Sequence, residues 1–347
     1  MDKSADSVRT STVPVVTGLE SPQTAVASED ARAAQGATNR WVADACLIAT
    51  AVMWGVNIPL SKYVVGELEP FVFNGVRLVL AAITLAGCAA LERRWLSGRT
   101  RGGVPTVNRR PLIASVSFWS FILLTGLIYQ LLFIFGISRT TAANSALLLS
   151  TMPMWTAMIS FFALRERLPR VTWWGLGITF IGTVWVINAR QGIDLSTTFF
   201  WGNLMMMSAA LCWAAGTVIS RRVLERITPL QLAFWSGVLT APIHLAIAWP
   251  YLNPAWETLM RWKILLAVAY SGIFSTGLAY VTWHIGVRRL GGSHAAVYQN
   301  LVTLVAVLGG WLLLREQPLT AQIVGGILII GGLVIMRRGR KYAYHVK

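Results

Sequence analysis

Ten long apolar runs, separated by short connectors, dominate this sequence. A helix needs about 20 mainly apolar residues to cross the hydrocarbon core of a bilayer. Proline and charged residues mark the connectors, as is typical where a helix leaves the membrane. The sequence therefore predicts an all-α integral membrane protein with ten transmembrane helices. The predicted helices span residues 42–66, 70–91, 112–137, 141–164, 170–188, 200–220, 229–250, 263–285, 293–314 and 318–336.

The composition agrees with a membrane protein rather than a soluble one. Hydrophobic residues make up 55% of the 347 residues and charged residues 13%, with a mean hydropathy of +0.58. Soluble domains carry about 25% charged residues. The net charge of +16 is compatible with nucleic-acid binding, but the arginines lie in short connectors, whereas a nucleic-acid site needs a solvated basic face. We expect a lipid bilayer and a small-molecule substrate as partners, and no nucleic acid.

Arginine and lysine are distributed unevenly along the chain. Most of them follow the second, fourth, sixth and eighth predicted helices or lie in the C-terminal tail. Cytoplasmic loops carry such an excess, so both termini are predicted to be cytoplasmic, in the cell membrane, or in the inner membrane of a prokaryote. Residues 1–40 contain no run that could form a signal-peptide core, and we expect a disordered cytoplasmic tail there. Residues 338–347 form a basic cytoplasmic tail.

The chain also contains an internal repeat, which divides it into residues 41–189 and 200–337 with a connecting loop at 190–199. A shift of 159 residues aligns Trp54 with Trp213, Ser61 with Ser220, Lys62 with Arg221 and Pro70 with Pro229. A shift of 150 aligns Gly136 with Gly286, Ala146 with Ala296, Arg165 with Arg315, Glu166 with Glu316, Gly175 with Gly325 and Gly182 with Gly332.

Each half contains five predicted helices, and an odd number makes the two halves enter the membrane in opposite directions. Inverted repeats provide two nearly equivalent states, one open to each side, as alternating access requires. The alternative is a duplication that only built a larger helical bundle. The glycine pairs seven residues apart predict close helix packing, and Glu166 and Glu316 predict charge pairs at helix ends or a gating role.

Several short motifs repeat in the same order in both halves. The first half reads Thr141-Ala142-Ala143-Asn144-Ser145-Ala146-Leu147-Leu148, then Pro153, then Arg165-Glu166-Arg167-Leu168; the second reads Gly292-Ser293-His294-Ala295-Ala296, then Tyr298-Gln299-Asn300-Leu301, then Leu314-Arg315-Glu316. These motifs resemble the two copies of the EamA domain in the drug/metabolite transporter superfamily. Pro70 followed by Arg77 resembles the first-half pattern of that family. The second half departs from the first at Thr303, opposite Pro153, and at Ser236, opposite Arg77.

The resemblance covers residues 41–337 and implies a function as well as a fold. It implies ten helices around a central cavity, with the fifth and tenth helices outside the substrate path. It also implies export or exchange of amino acids, metabolites or toxic small molecules. Because specificity varies across the superfamily, the resemblance names no substrate.

Arg77 is the most conspicuous candidate residue for a substrate cavity. It lies about 10 Å from the start of its predicted helix, and an ionisable group at that depth is costly and by default indicates function. We expect either a cavity charge that attracts a carboxylate or partners a proton-coupled acid, or an arginine that extends to the interface or bonds a neighbouring helix.

Other polar and aromatic residues lie at membrane depth on the predicted helices. Four-residue spacing places Thr276, Tyr280 and His284 on one helical face. His284 is a candidate proton relay or a histidine bonded to a helix end. Polar groups at this depth must be satisfied by protein, water or substrate. The further cavity candidates are Trp54, Asn57, Tyr129, Gln130, Asn144, Trp283, His294, Tyr298, Gln299 and Asn300.

The sequence favours a transporter over an enzyme, which is the main alternative together with a channel or a non-transporting membrane subunit. It contains no glycine-rich loop ending in Gly-Lys-Ser/Thr, the pattern that would predict ATP binding. The four histidines form no pair at metal-ligand spacing, and Cys46, Cys88 and Cys212 lie singly in apolar runs. We therefore expect neither a metal nor a cofactor.

Overall fold

The computed structural model describes residues 22–99, 114–164, 169–187, 197–290, 295 and 298–345. The chain divides into two units, Met1–Val42 and Ala43–Lys347. The regular structure of the described residues is entirely helical, as predicted. The α-helices are α1 (Pro22–Glu67), α2 (Pro70–Arg99), α3 (Val116–Phe121), α4 (Tyr129–Arg139), α5 (Ala142–Leu149), α6 (Met152–Leu164), α7 (Arg170–Ile187), α8 (Thr198–Leu224), α9 (Pro229–Leu259), α10 (Trp262–Tyr270), α11 (Ala279–Leu290), α12 (Gln299–Leu314) and α13 (Thr320–His345).

Seven helical stretches among the described residues are long and apolar enough to cross a membrane. They are Trp41–Glu67, Pro70–Arg94, Val116–Arg139, Ala142–Ala163, Thr198–Leu224, Pro229–Leu259 and Trp262–Leu290. Two shorter apolar stretches, Gln299–Leu314 and Thr320–Ile335, follow them, and α7 adds 18 residues. The protein is therefore a multi-pass membrane protein.

The first helix begins earlier than the sequence pattern predicts. It starts at Pro22, whereas the composition predicts a disordered tail through residue 40. Proline is favoured in the first turn of a helix, and residues 22–40 are rich in alanine, the strongest helix former. Residues 22–40 are thus helical in the structure, whereas the sequence predicts disorder there.

Two of the predicted transmembrane helices contain π-helical segments, which the apolar pattern does not reveal. Ile122–Ile128 joins α3 to α4, and Ser271–Leu278 joins α10 to α11. A threonine hydroxyl bonds a backbone carbonyl in each, from Thr125 to Phe121 over 2.7 Å and from Thr276 to Ser271 over 2.9 Å. Since π-helical turns are frequently found at functional sites, the residues beside these two segments are candidates for a functional site.

The predicted helix 141–164 is broken into α5 and α6 at Ser150 and Thr151. Pro153 lacks a backbone N–H and cannot continue the α-helical hydrogen bonds. The hydroxyls of Ser150 and Thr151 donate to the carbonyls of Leu147 and Leu148 over 2.6 and 2.7 Å. The two hydroxyls thus provide hydrogen bonds to carbonyls beside the break, as a lipid environment requires.

Helices α7 and α13 pack against each other through glycine, as the seven-residue spacing predicts. A Cβ built on Gly182 would lie 2.7 Å from the carbonyl oxygen of Gly325, and one on Gly332 would lie 2.6 Å from that of Gly175. No side chain larger than hydrogen fits at these two contacts. The prediction of close helix packing is confirmed.

Candidate functional site

A cavity of about 50 Å³ lies within the helical bundle of residues 43–347. Such a volume holds a few water molecules, whereas ligand pockets measure about 300–1,000 Å³. Its lining comes from α1, α2, α4, α5, α6, α8, α11, α12 and the second π-helical segment. The lining residues are Trp54, Asn57, Ile58, Arg77, Tyr129, Gln130, Phe133, Leu149, Met152, Trp213, Ser275, Thr276, Tyr280, Gln299 and Val302.

A larger hollow of about 480 Å³ lies on the outside of the α7–α13 pair. It is lined by Phe180, Ile181, Val184, Trp185 and Ala321. Four of these five side chains are exposed, and none carries a charge. The hollow therefore belongs to the apolar outer surface, and the smaller polar cavity is the candidate site.

Arg77 is the charged residue of the cavity, and only 2% of its surface is exposed. Its Nε and Nη2 atoms donate to Asn74 Oδ1 over 3.2 and 2.8 Å, and Nη2 also donates to Gln130 Oε1 over 2.8 Å. Nη1 lies 3.5 Å from Thr276 Oγ1. The guanidinium carbon also lies 5.3 and 5.5 Å from the ring centres of Phe73 and Phe133. Arg77 is thus held between helices and does not extend to the membrane surface.

The hydrogen bonds of Arg77 continue to two further side chains. Gln130 Nε2 donates to the Tyr280 hydroxyl over 2.8 Å. On the other side, Asn74 Nδ2 lies 3.0 Å from His244 Nδ1, and His244 Nε2 lies 2.9 Å from the Gly126 carbonyl oxygen. A carbonyl only accepts, so Nε2 carries the hydrogen and Nδ1 accepts from Asn74. His244 is therefore neutral in this arrangement, and it fixes Asn74 with its oxygen toward Arg77.

Aromatic side chains also line the cavity. The Trp54 ring centre lies 5.2 Å from that of Trp213, and the Trp213 centre lies 5.0 Å from Tyr129 and 5.2 Å from Tyr280. The Trp283 ring centre lies 5.2 Å from that of Trp54. The indole N–H of Trp54 donates to the Ser275 carbonyl over 2.9 Å. Tyr280 therefore takes part both in this aromatic cluster and, through its hydroxyl, in the hydrogen-bond network of Arg77.

Three polar atoms of the cavity lining are buried without a hydrogen-bond partner. They are Asn57 Oδ1, Trp213 Nε1 and Gln299 Nε2, on side chains that are 4–5% exposed. Buried polar groups in proteins nearly always have partners, and each exception needs an explanation such as an absent ligand or water. Their presence in one lining makes this cavity the candidate binding site.

None of the described residues that line this site is acidic. Within the described ranges, the ion pair of Arg261 and Glu67 at 3.6 Å lies at the surface, and no carboxylate lies within 4.0 Å of the Arg77 guanidinium. In the same part of the chain, no cluster of three or more His, Cys, Asp or Glu residues could hold a metal ion.

The structure brings seven of the thirteen candidate residues together at the cavity and places five elsewhere. Those that line the cavity are Trp54, Asn57, Arg77, Tyr129, Gln130, Tyr280 and Gln299. Those outside the lining are Asn144, Trp283, His284, Tyr298 and Asn300. His294 lies outside the described residues.

Asn144 joins helices instead of facing the cavity. Its Nδ2 atom donates to Asn203 Oδ1 over 3.1 Å, and its Oδ1 atom accepts from Gln322 Nε2 over 2.6 Å. Thr140 donates to the same Asn203 oxygen over 2.5 Å. Asn144 therefore connects α5 to α8 and α13, and it is fully buried.

The other residues outside the lining are engaged within or between helices. His284 Nδ1 donates to the Tyr280 carbonyl over 2.7 Å, and the Tyr298 hydroxyl donates to Asp44 Oδ1 over 2.7 Å. Asn300 Oδ1 is buried and has no partner. Asn300 directly follows the cavity-lining Gln299 in sequence, and His284 lies one helical turn after the cavity-lining Tyr280.

Sequence reasoning missed Asn74, His244 and Trp213 as parts of this arrangement. Asn74 lies three residues before Arg77, a spacing that shares a helical face, and this spacing would have identified it. His244 is an ionisable residue in an apolar run, which is itself an indication of function. Trp213 is the repeat counterpart of the cavity candidate Trp54, and this correspondence would have identified it.

Comparisons with known proteins agree with this architecture. A family model described as the EamA-like transporter family matches residues 41–188 and 200–338. A Bacillus subtilis (strain 168) relative, named uncharacterized transporter YoaV, is 24% identical over 290 residues, covering 83% of this chain and 94% of its own. A Salmonella typhimurium (strain LT2) relative, named "probable amino-acid metabolite efflux pump", is 24% identical over 300 residues, covering 83% and 92%.

A solved crystal structure has a similar fold. It superimposes with a TM-score of 0.58 at 23% sequence identity and covers 84% of this chain and 95% of its own. The two family matches together extend over most of the chain, and they point to a transporter rather than an enzyme. The chain belongs to the EamA-like transporter family and is a multi-pass membrane transporter.

Proposed function

We propose that the protein is a secondary transporter that exports or exchanges small metabolites, amino acids or amphipathic compounds by alternating access. The cavity around Arg77 is its substrate site. The observation that carries this proposal is the convergence of unpartnered polar atoms on a cavity lined by residues 54–152 and 213–302. Substrate sites between the repeats of a transporter occupy this kind of position.

The proposal includes ten transmembrane helices in two inverted five-helix repeats, residues 41–189 and 200–337. The two π-helical segments support this division. A shift of 151 aligns Thr125 with Thr276, Gly126 with Gly277 and Tyr129 with Tyr280. The two segments begin 149 residues apart and end 150 residues apart, close to the shift of 150 that aligns Gly136 with Gly286. An irregular element at the same place in each half is expected after duplication.

The aromatic contacts of the cavity also support the repeat. Trp54 lies 6.2 Å from Tyr280, and Trp213 lies 5.0 Å from Tyr129. Trp54 corresponds to Trp213 in the repeat, and Tyr129 corresponds to Tyr280, so the two contacts are equivalent. Trp54 and Trp213 also contact each other. A two-fold axis in the membrane plane would pass near that contact, and it would relate an outward-open to an inward-open state.

The size of the cavity supports a mechanism in which helices move. At about 50 Å³ it is too small for a metabolite, so binding requires the surrounding helices to separate. An alternating carrier passes through such closed states between its two open ones. The proposed location is the cell membrane, or the inner membrane in a prokaryote, with both termini cytoplasmic.

Counterflow in proteoliposomes tests the proposed function. Vesicles containing the purified protein are loaded with unlabelled candidate compounds, amino-acid metabolites among them, and the uptake of labelled compound is followed. We expect saturable uptake that requires internal substrate and is absent from protein-free vesicles. Linear, unsaturable flux would indicate a channel, and a chemically altered compound without uptake would indicate an enzyme; either result contradicts the proposal.

A matched pair of tryptophan variants connects the flux to the cavity. Trp213→Phe removes a buried N–H but keeps an aromatic ring, and we expect slower counterflow. Trp235→Phe makes the same change at a side chain that is 40% exposed, and we expect the wild-type rate. Equal rates for the two variants would place the substrate path elsewhere.

A further inference from the structure

We infer that the cavity selects organic anions, in which a carboxylate is attached to an apolar body and Arg77 is its counter-ion. This inference rests on the proposed function, because it names the substrate class of the proposed site. It starts from the charge of Arg77, which is buried among neutral neighbours. Asn74, Gln130 and Thr276 contribute only hydroxyl and amide groups.

The guanidinium has capacity for a further partner. It carries five N–H hydrogens, and four hydrogen bonds engage it, the longest at 3.5 Å from Nη1. At least one Nη1 hydrogen is therefore free, on a residue that lines the cavity. A buried charge is costly unless it is paired, and none of the described carboxylates pairs with this one. An anion that enters the cavity would provide the missing charge.

The unpartnered donors of the cavity suit the same ligand. Trp213 Nε1 donates only, and Gln299 Nε2 presents amide hydrogens. A carboxylate accepts about four hydrogen bonds through two oxygens, so it can bind Arg77 and these donors together. Asn57 Oδ1 is the unpartnered acceptor of the lining, and it suits an N–H or O–H on the same molecule.

The remaining walls of the cavity suit an apolar body. Phe133, Leu149 and Val302 lie in the lining together with the aromatic rings. Arg77 is the one charged residue among the described residues of the lining, and its repeat counterpart is the neutral Ser236. One cation beside an apolar wall selects a molecule with one anionic end.

Binding of three probes of similar shape and different charge tests this inference. The purified full-length protein in nanodiscs is assayed with labelled phenylacetate (an anion), phenylacetamide (neutral) and phenethylamine (a cation). We expect wild-type protein to bind phenylacetate about 10- to 100-fold more tightly than the other two, the factor that a charge-assisted hydrogen bond contributes. Equal affinities for the three probes, or no binding of phenylacetate, would overturn the inference.

Two variants examine Arg77 without deleting it. Asn74→Asp keeps the shape of the side chain but places a carboxylate against the guanidinium, at the position now 2.8 Å from Nη2. We expect this internal counter-ion to remove the preference for phenylacetate. Arg77→Lys keeps the charge, and we expect it to retain a weaker preference. Arg261→Gln removes a charge at the protein surface and serves as the control, with wild-type affinities expected.

The outcomes separate this inference from the proposed function. Anion-selective binding that Asn74→Asp abolishes, without any counterflow, would refute the transport function and support the inference. Counterflow of phenylacetamide at the same rate as phenylacetate would support transport and refute the inference. If the Asn74→Asp protein does not elute as a folded species, the Arg77→Lys variant tests the inference instead. Equal affinities of that variant for phenylacetate and phenylacetamide would contradict selection by charge.

Discussion

At the residue scale, His244 positions Arg77 from a helix that contributes nothing to the cavity lining. His244 is on α9, and it reaches Arg77 only through Asn74. Gly75 makes this possible, since a Cβ there would lie 2.8 Å from Ala248 Cβ and 3.1 Å from the His244 carbonyl oxygen. The close approach of α2 to α9 thus brings a histidine within hydrogen-bonding distance of Asn74.

We predict that His244→Leu weakens anion selectivity without preventing folding. The Asn74 Nδ2 atom would lose its hydrogen bond to His244, so the Asn74 oxygen would be oriented less strictly toward Arg77. Loss of a buried hydrogen-bond partner costs about 1–3 kcal/mol, and we expect a corresponding drop in unfolding free energy. The specific measurement is the ratio of phenylacetate to phenylacetamide affinity, which a purely structural role would leave unchanged.

The neighbouring Ile243→Leu is the control for this variant, because Ile243 is 45% exposed on the outer face of the same helix. It should preserve both stability and the affinity ratio. A His244→Leu protein that keeps the wild-type ratio would show that Asn74 is held by other contacts.

The sequence predicts single residues of the site better than it predicts their partners. Arg77 is recognisable because a charge at membrane depth is unusual. His244 is 170 residues from Asn74, and no local pattern connects them; the contact depends on how α2 and α9 pack. Asn144 has the same residue type as Asn57 and was an equal cavity candidate by residue type, yet packing places it between helices.

At the element scale, glycine contacts set the spacing between α7 and α13. We predict that Gly182→Ala and Gly332→Ala each destabilise the protein by about 1–3 kcal/mol, the usual cost of inserting a methyl group into a packed contact. The added Cβ would meet backbone atoms of the partner helix at 2.7 and 2.6 Å, and backbone cannot move aside as a flexible side chain can. Thermal unfolding in detergent measures the effect.

Gly177→Ala and Gly331→Ala are the matched controls, since a Cβ at either position meets nothing within 4 Å. Alanine is favoured over glycine in a helix by about 1 kcal/mol, so these variants should be neutral or slightly more stable. Destabilisation of all four variants by the same amount would contradict a role for close helix contact.

Irregular helical elements were the least predictable part of the fold. The π-helical segments have the same apolar composition as the α-helices that flank them, and hydropathy is insensitive to which hydrogen bonds a helix forms. Pro153 indicates a break in the predicted helix 141–164, and the break lies at Ser150 and Thr151, whose hydroxyls donate to the carbonyls of Leu147 and Leu148. Such details depend on local hydrogen bonds rather than on the apolar period.

At the scale of the whole molecule, the orientation in the membrane follows from the positions of Arg and Lys. In a variant without Cys46, Cys88 and Cys212, we predict that a membrane-impermeant maleimide labels Gly66→Cys in intact cells and Ala343→Cys only after permeabilisation. Gly66 is exposed at the end of α1, opposite the proposed cytoplasmic side. The reverse labelling pattern would contradict the positive-inside argument.

A residue of the second proposed repeat binds the N-terminus of α5. The carboxylate of Glu316 accepts from the backbone N–H groups of Ala142 and Ala143 over 3.2 and 3.3 Å. Arg315 has a left-handed backbone with φ of 53°, which ends α12 and turns the chain toward α5. Negative charge is favourable at a helix N-terminus. Glu316 thus bonds α5 of the first proposed repeat from the second, on the proposed outer side of the membrane.

We predict that Glu316→Gln favours the outward-open state. In the proposed alternating cycle this contact must break when the cavity opens outward, and a neutral amide holds the α5 N-terminus less strongly than a carboxylate does. The loss of a cap of this kind costs about 0.5–2 kcal/mol, which corresponds to a shift of about 2- to 30-fold in the population ratio. Labelling of Asn57→Cys in the cavity from outside, in a variant without the native cysteines, should accelerate by a similar factor.

Glu257→Gln, at an exposed position on α9, controls for the loss of a surface charge. Unchanged labelling in Glu316→Gln would mean that the contact caps α5 in every state and does not participate in the opening of the cavity.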